Sequence, residues 1–544
     1  MCNTVAVTRA RWTTETTPLP PHALEWLSQR VGLGEPLPEV PVTAPPSALS
    51  ADAFEALEAV SAVSVEDADR LGRSGGLSYL DLLRHRGHGA LAVPDAVVQP
   101  ASPAEVLEVL QVCVEHDIAV VPFGGGTSVV GGVEALRGPK SAVVALDLAG
   151  LGSLVSVDPV SRVAVLQAGV TGPEAEKLLG EHGFTLGHVP QSFERATIGG
   201  FAATRSAGQA SAGYGRFEDM VESVRVATPV GEWVVGGAPA SAAGPDLKQL
   251  VLGSEGAFGV ITEVSVRVRP RPYGPRYEGF VVDGWEAGVA LVRTLAQDGV
   301  LADITRLSDV EETEVALELA GPRAATLKKY LRFRRVAQPC LVILGWECRS
   351  REATMSSLSG HKVVRLGRAM GASWLHGRFN GPRQRDALLD AGVCVETLET
   401  ATHWSRVSEM WAAVRDALVA ELGDAVVMCH ISHAYETGAS LYFTVLVPRD
   451  LSDPVGQWER AKVAASEVVS RLGTITHHHA VGRDHLPWLE REIGSIGVGV
   501  LRAVKDRVDP TGILNPGKLV QGRLGSAGGR LGASPGTPGH IREY

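Results

Sequence analysis

The spacing of apolar and polar positions predicts mixed helix and strand in the first half of the chain. The segment 96–128 reads as a strand, a turn, a helix, a second strand and a glycine loop. Ser102 followed by Pro103 suits the cap and first turn of a helix over residues 104–116. The apolar run 118–123 is typical of a buried strand. A strand–helix–strand unit of this kind indicates α/β architecture here.

The rest of the chain shows two further patterns. Between residues 141 and 270, β-branched runs are divided by turn residues at Asp158-Pro159 and Pro229–Gly231, which predicts hairpins. Residues 271–470 alternate helical and strand patterns, which predicts an α+β cap or substrate domain. Residues 486–519 read as a helix followed by a turn.

These patterns divide the chain into four parts. Residues 1–90 are expected to form a leader with short helices, one of them capped by Ser50. Residues 91–270 and 271–520 hold the two dense regions, and the Gly-rich tail 521–544 is expected to be disordered.

Composition and charge exclude several classes of protein. With 51 basic and 61 acidic residues the net charge is −10, which disfavours a nucleic-acid-binding protein. The six cysteines show no CxxC spacing and are expected to be reduced thiols of a cytosolic protein. We find neither a secretory apolar run nor a span of transmembrane length. The protein is therefore expected to be cytoplasmic and to meet lipid only from the surface.

A glycine loop is the first candidate binding element. Gly124, Gly125 and Gly126 follow a strand and precede Thr127 and Ser128. Consecutive glycines let backbone N–H groups converge on a pyrophosphate, and the two hydroxyls add donors. The loop matches neither a Walker A motif nor a G-x-G-x-x-G fingerprint, so a plain tight turn remains the alternative.

Two further glycine segments change this balance. Residues 188–208 are rich in Gly, Ser and Thr beyond what core packing needs, and residues 253–262 lead from glycines into a strand. Three such loops, each beside a strand, suit a long cofactor approached by bare backbone. A flavin dinucleotide fits that description.

These motifs carry a resemblance to a known family. PFGGGTS, ATIGGFAATRSAG and GSEGAFGVIT resemble the flavin-binding domain of the vanillyl-alcohol-oxidase superfamily, and DPTGILNPGKL resembles the end of its FAD-linked oxidases. The triplet His477–His479, together with GHVPQSFERATIGG, resembles the alkyldihydroxyacetonephosphate synthase (alkylglycerone-phosphate synthase) family. The similarity runs from about residue 75 to about residue 520. The resemblance implies an α+β fold: a two-subdomain, PCMH-type FAD-binding domain over 91–270, then an α+β cap domain with a C-terminal helical segment over 271–520.

The resemblance also implies a function. The family exchanges the acyl group of acyl-dihydroxyacetone phosphate for a fatty alcohol, forming the ether bond of ether lipids without net redox. No histidine or cysteine adjoins PFGGGTS, so FAD is expected to be bound non-covalently. The alternative is an FAD-dependent 2-hydroxy-acid dehydrogenase or oxidase acting on D-lactate or glycolate, which usually has a Gly-Glu-His pattern at the triplet position.

Site residues follow by position from the family motifs. The resemblance implies catalytic roles for Tyr442, His477, His478, His479, Arg306 and His188. It implies substrate binding by Arg385, Thr397 and His430, the last standing where better-known members have arginine. It implies FAD contacts by Pro122, Phe123, Gly124, Gly125, Gly126, Thr127, Ser128, Gln191, Ser192, Thr197, Gly200, Thr204, Arg205, Ser206, Ala207, Glu255, Gly256, Gly259, Val260 and Ile261.

Each assignment has an ordinary structural alternative. Arg306 and Arg385 can be partners in structural ion pairs, and Tyr442 sits in an apolar strand and can be a core residue. The triplet can be a metal site or a His-rich turn, although no Cys/His spacing supports a metal and none is assigned. On a strand, His477 and His479 would share one face.

One basic segment stands out in the acidic chain. Residues 327–335, LKKYLRFRR, form an amphipathic pattern that can lie on an anionic lipid surface, peripherally at the inner face of a membrane. A solvated surface helix is the alternative. The expected partners are thus acyl-dihydroxyacetone phosphate, a fatty alcohol and a membrane surface, and a homodimer stays open.

Overall fold

The computed structural model describes residues 11–12, 18–38, 40–319, 321 and 323–520. The predicted disordered tail 521–544 lies outside the described residues. Three sheets of four, five and seven strands and one two-stranded ribbon organise the described chain. This agrees with the α+β fold class expected from the sequence.

The first sheet follows the predicted strand–helix–strand pattern. Its order is β1-β2-β4-β3, and β2, β4 and β3 run parallel. Ser50 caps α2 and Ser102 caps α5, as predicted. Since β1 belongs to this sheet, part of the expected leader is built into it. The elements are α1 (Pro21–Arg30), α2 (Ala51–Glu58), β1 (Ala62–Ser64), α3 (Asp67–Gly72), α4 (Tyr79–His85), β2 (Ala96–Gln99), α5 (Pro103–Glu115), β3 (Ile118–Phe123) and β4 (Ala142–Asp147).

The second sheet is antiparallel, with order β5-β6-β10-β8-β9. Both predicted hairpins are present, β5 with β6 and β8 with β9. Short helices and the β7–β11 ribbon connect the strands. The elements are β5 (Leu154–Asp158), β6 (Val163–Gln167), α6 (Gly172–Glu181), β7 (Phe184–Thr185), α7 (Ile198–Thr204), α8 (Ser211–Tyr214), α9 (Phe217–Met220), β8 (Val221–Thr228), β9 (Gly231–Gly236), α10 (Lys248–Val251), β10 (Val260–Arg267) and β11 (Arg269–Pro270).

The third sheet forms the cap, with order β15-β12-β14-β13-β17-β18-β16. Helices pack on it around a second large apolar core. The strands are β12 (Arg276–Asp283), β13 (Ile304–Ser308), β14 (Pro339–Trp346), β15 (Val364–Gly367), β16 (Val393–His403), β17 (Val426–Ile431) and β18 (Gly438–Pro448). The helices are α11 (Trp285–Gln297), α12 (Val310–Leu319), α13 (Arg323–Phe333), α14 (Arg351–Leu358), α15 (Arg368–Gly377), α16 (Asn380–Asp390), α17 (Val407–Leu422), α18 (Pro454–Leu472) and α19 (Leu486–Val508).

The chain returns to the first sheet after α19. Leu514 forms a parallel bridge with Val120 of β3. The Asn515 amide donates to the carbonyl oxygens of Gly132 and Glu255, and the buried Lys518 ammonium donates to the carbonyl of Glu134. The last described segment therefore ties the cap to the glycine loops. Among the described residues, none of the helices combines the length and apolar character needed to span a bilayer.

Candidate active site

One cavity of about 870 Å³ lies between the glycine loops and the cap sheet. The loops after β3, before α7 and before β10 form one part of its wall. The cap sheet, α12, α13, α15 and α16 form the other. The three predicted loops, distant in sequence, therefore meet around a single space.

Bare backbone brings these loops into contact. A Cβ on Gly125 would lie 2.0 Å from the carbonyl oxygen of Arg195, and one on Gly124 would lie 2.4 Å from Thr197 Oγ1. A contact below 3.0 Å to backbone cannot be relieved cheaply, so position 125 requires glycine. At position 124 a larger residue would have to displace the buried Thr197 side chain. The close approach leaves the backbone of residues 124–126 lining the cavity.

Glu255 joins the third loop to the histidine segment. Its carboxylate accepts hydrogen bonds from the backbone N–H of Gly482 at 2.8 Å and of Val481 at 3.1 Å. Burial raises the pKa of Glu255 to about 7, with these two N–H donors opposing the shift. The third loop is thus fixed to the segment that carries the triplet.

The cavity fits the expected cofactor. It combines sufficient volume, exposed loop backbone and the hydroxyls of Thr127, Ser128 and Thr197, which suit an extended pyrophosphate cofactor. All residues proposed for FAD contact line it except Arg205 and Val260. The Arg205 guanidinium donates instead to Gln249 and to the carbonyl of Leu252, and Val260 is buried in β10.

The histidine triplet lies in a loop between α18 and α19, not on the strand that the sequence suggested. The Glu399 carboxylate of β16 holds this loop: it accepts the backbone N–H of His477 at 2.6 Å, of His478 at 3.2 Å and of His479 at 2.9 Å. The Thr476 hydroxyl donates to it at 2.5 Å. Three successive N–H groups facing one carboxylate replace the strand partner that a β ladder would have supplied.

The pKa of the Glu399 carboxyl is set by its immediate surroundings. Burial would raise its pKa, but the three histidines and the Thr476 hydroxyl outweigh burial and hold the pKa well below its usual range. Burial also lowers the pKa of His479, to about 3, and the Glu399 charge opposes this shift. The loop therefore contains a buried anion beside neutral imidazoles.

Tyr442 lies at the centre of the cap side of the cavity. Cross-strand pairing places it between Glu399 of β16 and His430 of β17. Its ring stacks on His430 with centroids 4.8 Å apart and on His478 at 6.0 Å. Burial raises the pKa of Tyr442, with a hydrogen bond to Thr397 opposing, so the phenol is protonated at neutral pH. Tyr442, His478 and Thr397 all line the cavity.

Arg306 lines the cavity as one member of a charged group. Its guanidinium donates to Glu312 at 2.6 Å and lies 2.9 Å from His430 Nδ1. Burial would raise the pKa of Glu312, but Arg306 and His430 together lower it. The arginine is therefore already paired with an acid, which leaves the ion-pair alternative open beside a role toward substrate.

Arg385 also lines the cavity and is also paired. Its guanidinium bonds the buried Glu396 carboxylate and donates to the carbonyl of Leu77 at 3.1 Å. Glu396 in turn accepts from the backbone N–H of Thr397 at 2.8 Å. The pair holds α16 against β16 and places Arg385 and Thr397 on one wall.

Two of the residues with predicted catalytic roles lie outside the cavity lining. His188 is buried between Phe201 and Phe217, and its Nε2 lies 3.0 Å from Ser206 Oγ. Burial lowers the pKa of His188 to about 3. His477 lies behind His478, and its Nε2 is 2.5 Å from the Tyr435 hydroxyl. Neither imidazole is placed to touch a ligand directly.

The structure adds residues that the sequence did not suggest. Arg378 and Trp12 line the cavity, and His433 lines it while stacking on His477 at 5.0 Å. His433, His477 and His478 offer ring nitrogens within 4.8 Å of one another, which keeps the metal-site alternative open. No motif marks Arg378 or Trp12. The repeated histidines around MCHISH were the one signal available for His433.

Comparison with known proteins agrees with this geometry. A family model described as an FAD binding domain matches residues 94–237, and one described as the C-terminal domain of FAD linked oxidases matches residues 272–519. The alkyldihydroxyacetonephosphate synthase of Dictyostelium discoideum is 32% identical over 472 residues, which cover 83% of this chain and 77% of that protein. The same enzyme of Trypanosoma brucei brucei is 31% identical over 470 residues, 82% of this chain and 76% of that one.

A solved structure supports the same grouping. An alkyldihydroxyacetonephosphate synthase superposes on this chain with a TM-score of 0.79 at 28% identity, covering 92% of each chain. The cavity, the glycine loops and the histidine segment therefore occur within a fold shared along nearly the whole length. This chain is an FAD-dependent enzyme that belongs to the alkyldihydroxyacetonephosphate synthase family.

Proposed function

We propose that the enzyme exchanges the acyl group of acyl-dihydroxyacetone phosphate for a fatty alcohol and so forms the ether bond of an ether lipid, without net oxidation. Family membership supports the reaction type. The observation that carries the assignment is a continuous cavity that joins the cofactor loops, a cluster of histidines with Tyr442, and an apolar arm. FAD, when bound, supplies the ring system against which substitution at the substrate carbon takes place.

Guanidinium donors suit a phosphate headgroup because they can bind two of its oxygens at once. Arg306 and Arg385 both lie in the cavity wall, but each is paired with a carboxylate. Arg378 lines the same cavity, and among the described residues it has no salt-bridge partner. We therefore assign the first phosphate contact to Arg378, with Arg385 beside it through its remaining N–H donors.

Proton transfer at the substrate carbon is assigned to Tyr442. Its protonated phenol lies between two imidazoles and beside Thr397, within the polar part of the cavity. Neighbouring His478 and His479 can accept or return a proton as the phenol changes state. Thr397 keeps the phenol oriented, which is the condition for efficient proton transfer.

The reaction is tested anaerobically with purified yellow protein, acyl-dihydroxyacetone phosphate and a fatty alcohol. Ether product formed without an electron acceptor supports the proposal, whereas bleaching of the flavin by D-lactate or glycolate would favour a hydroxy-acid dehydrogenase. Tyr442→Phe removes one hydroxyl and should lower the turnover rate at least about 100-fold while the protein keeps its FAD. A fully active Tyr442→Phe enzyme would refute the role given to this residue.

The apolar arm of the cavity suits an aliphatic chain. It runs between α12, α13 and the cap sheet and ends beneath α13. Burying a methylene contributes about 0.8 kcal/mol, so a long alkyl chain gains most of its affinity here. The arm is lined by Val281, Val315, Leu317, Leu327, Leu331, Leu341 and Leu366.

The outer face of α13 is proposed as the membrane contact. Lys329, Arg332 and Arg334 are exposed there, and the Phe333 side chain is 82% exposed. An exposed aromatic ring among cations matches a helix that lies on an anionic bilayer. Because the apolar arm ends under this helix, a lipid substrate could pass from bilayer to cavity with little exposure to water. We propose on this basis that the enzyme is peripheral to a membrane, at its cytoplasmic face.

Vesicle sedimentation tests the contact. Replacing Lys329 and Arg332 by Gln should weaken binding to phosphatidylglycerol vesicles roughly 10- to 30-fold, since each cation near an anionic surface contributes about 1 kcal/mol. The matched control replaces two exposed cations of the other domain, Arg162 and Lys177, and should bind normally. Equal binding by both double variants would remove this face from the proposal.

A further inference from the structure

The proposed reaction releases one proton inside the cavity. The O–H bond of the alcohol breaks and its oxygen forms the ether C–O bond. The ester C–O bond breaks, and the carboxylate leaves with the electron pair. The alcohol proton then has no place on either product at neutral pH, because a carboxylic acid ionises well below pH 7. Each turnover therefore needs a route by which this proton leaves. This requirement rests on the proposed function.

We propose that His478, His477 and Tyr435 form that route, a hydrogen-bonded chain from the cavity to the protein surface. His478 lines the cavity, and its Nδ1 lies 2.9 Å from His477 Nδ1. His477 Nε2 lies 2.5 Å from the Tyr435 hydroxyl. Tyr435 is half-buried and precedes the exposed residues Glu436 and Thr437.

Each imidazole can receive a proton on one ring nitrogen and release one from the other. In the outward arrangement, His478 Nδ1–H donates to His477 Nδ1, and His477 Nε2–H donates to the Tyr435 oxygen. His478 Nε2 is then the acceptor that takes the proton from the cavity. Passing one proton along moves the proton of each ring to its other nitrogen and leaves both rings neutral. The Tyr435 oxygen takes the proton of His477 and releases its own hydroxyl proton to solvent.

The surroundings favour transfer over storage of the proton. Burial lowers the pKa of both rings, and the nearby Arg216 guanidinium lowers them further, although Glu399 opposes both effects. Both rings are therefore neutral at rest, so neither retains a proton that passes along the chain. Arg216 donates to the carbonyl of His477 at 2.7 Å and so also fixes this end of the chain.

Tyr435→Phe tests the route because it removes only the outer hydroxyl. With ether formation as the assay, kcat should fall about 10-fold, less than for a residue that meets substrate, since water replaces part of the path. KM for the fatty alcohol should not change. Millimolar imidazole or formate in the buffer should restore the rate of the variant by carrying the proton, and should leave the wild type unaffected.

Two controls separate this role from others. Tyr273→Phe changes a fully exposed tyrosine and should behave as wild type, and the visible flavin spectrum reports whether Tyr435→Phe is folded. A slow variant that small buffers do not rescue, or a variant as fast as wild type, would overturn the relay while leaving the proposed reaction standing. A wild-type enzyme that forms no ether would instead remove the reaction and the relay with it.

Discussion

The hold of Glu399 on the histidine loop gives the sharpest test of how this site is built. In Glu399→Gln the amide oxygen can keep the three hydrogen bonds made to Oε1, those from Thr476, His478 and His479. The amide nitrogen then faces the backbone N–H of His477, which loses its 2.6 Å bond to Oε2. Losing one charge-assisted bond and leaving one buried donor unpaired should cost about 2–4 kcal/mol.

That cost should appear in two measurements. The urea midpoint of the holoenzyme should fall, followed by tryptophan and flavin fluorescence. Turnover should fall at least about 10-fold because the imidazoles lose their fixed positions. Thr476→Val removes only the hydroxyl that donates to the same carboxylate, and its free energy of unfolding should fall by about 1 kcal/mol. Glu108→Gln on the exposed face of α5 is the matched control and should lose nothing.

The pH dependence of folding stability tests the role of the Glu399 charge independently. The folded pKa of Glu399 lies well below 4.5, so the folded state binds fewer protons than the unfolded state near that pH. Its contribution is complete above about pH 4.5 and is lost as pH falls through the folded pKa. The stability difference between wild type and Glu399→Gln should therefore shrink on acidification. A variant with unchanged turnover and an unchanged urea midpoint would refute the reasoning.

Three further outcomes follow. Gly125→Ala should lose FAD during gel filtration, because its Cβ would lie 2.0 Å from a carbonyl oxygen, whereas Gly72→Ala, with nothing within 4 Å, should retain it. Burial holds the pKa of His188 near 3, so the wild type should lose stability as pH falls from about 6.5 towards 3, and His188→Phe should show a smaller loss in acid unfolding. Dialysis against EDTA should leave ether formation intact, while micromolar Zn²⁺ should inhibit it by binding His433, His477 and His478.

Local signals in the sequence predicted much of the fold and the cofactor side of the site. Glycine runs beside strands carry their own conformational meaning, and the helix caps at Ser50 and Ser102 need only adjacent residues. The hairpins at Asp158-Pro159 and Pro229–Gly231 are local in the same sense. Each of these features depends on a few adjacent residues, so the sequence pattern predicts it.

The catalytic side depends on partners far apart in the chain. The Glu399 carboxylate binds the backbone of the triplet, and Glu399 and His477 are 78 residues apart in the chain. No local signal in the sequence distinguished a loop from a strand at the triplet. Arg306 and Arg385 were visible as arginines, but the carboxylates that neutralise them were not. Tyr435 was missed because a tyrosine in a turn carries no motif.

Charge balance links these distant pairs to the choice of headgroup. Three guanidinium groups line the cavity, and two of them, Arg306 and Arg385, are paired with Glu312 and Glu396. The neighbouring imidazoles add no positive charge, since burial lowers their pKa values. A phosphate dianion would therefore meet only one guanidinium that is not paired in a salt bridge among the described residues, and a proton on a histidine near Arg306 would add to its compensation. Because burial lowers the pKa of His430, any charge that this residue adds beside Arg306 is conditional on protonation. We therefore expect headgroup binding to be coupled to the protonation of His430.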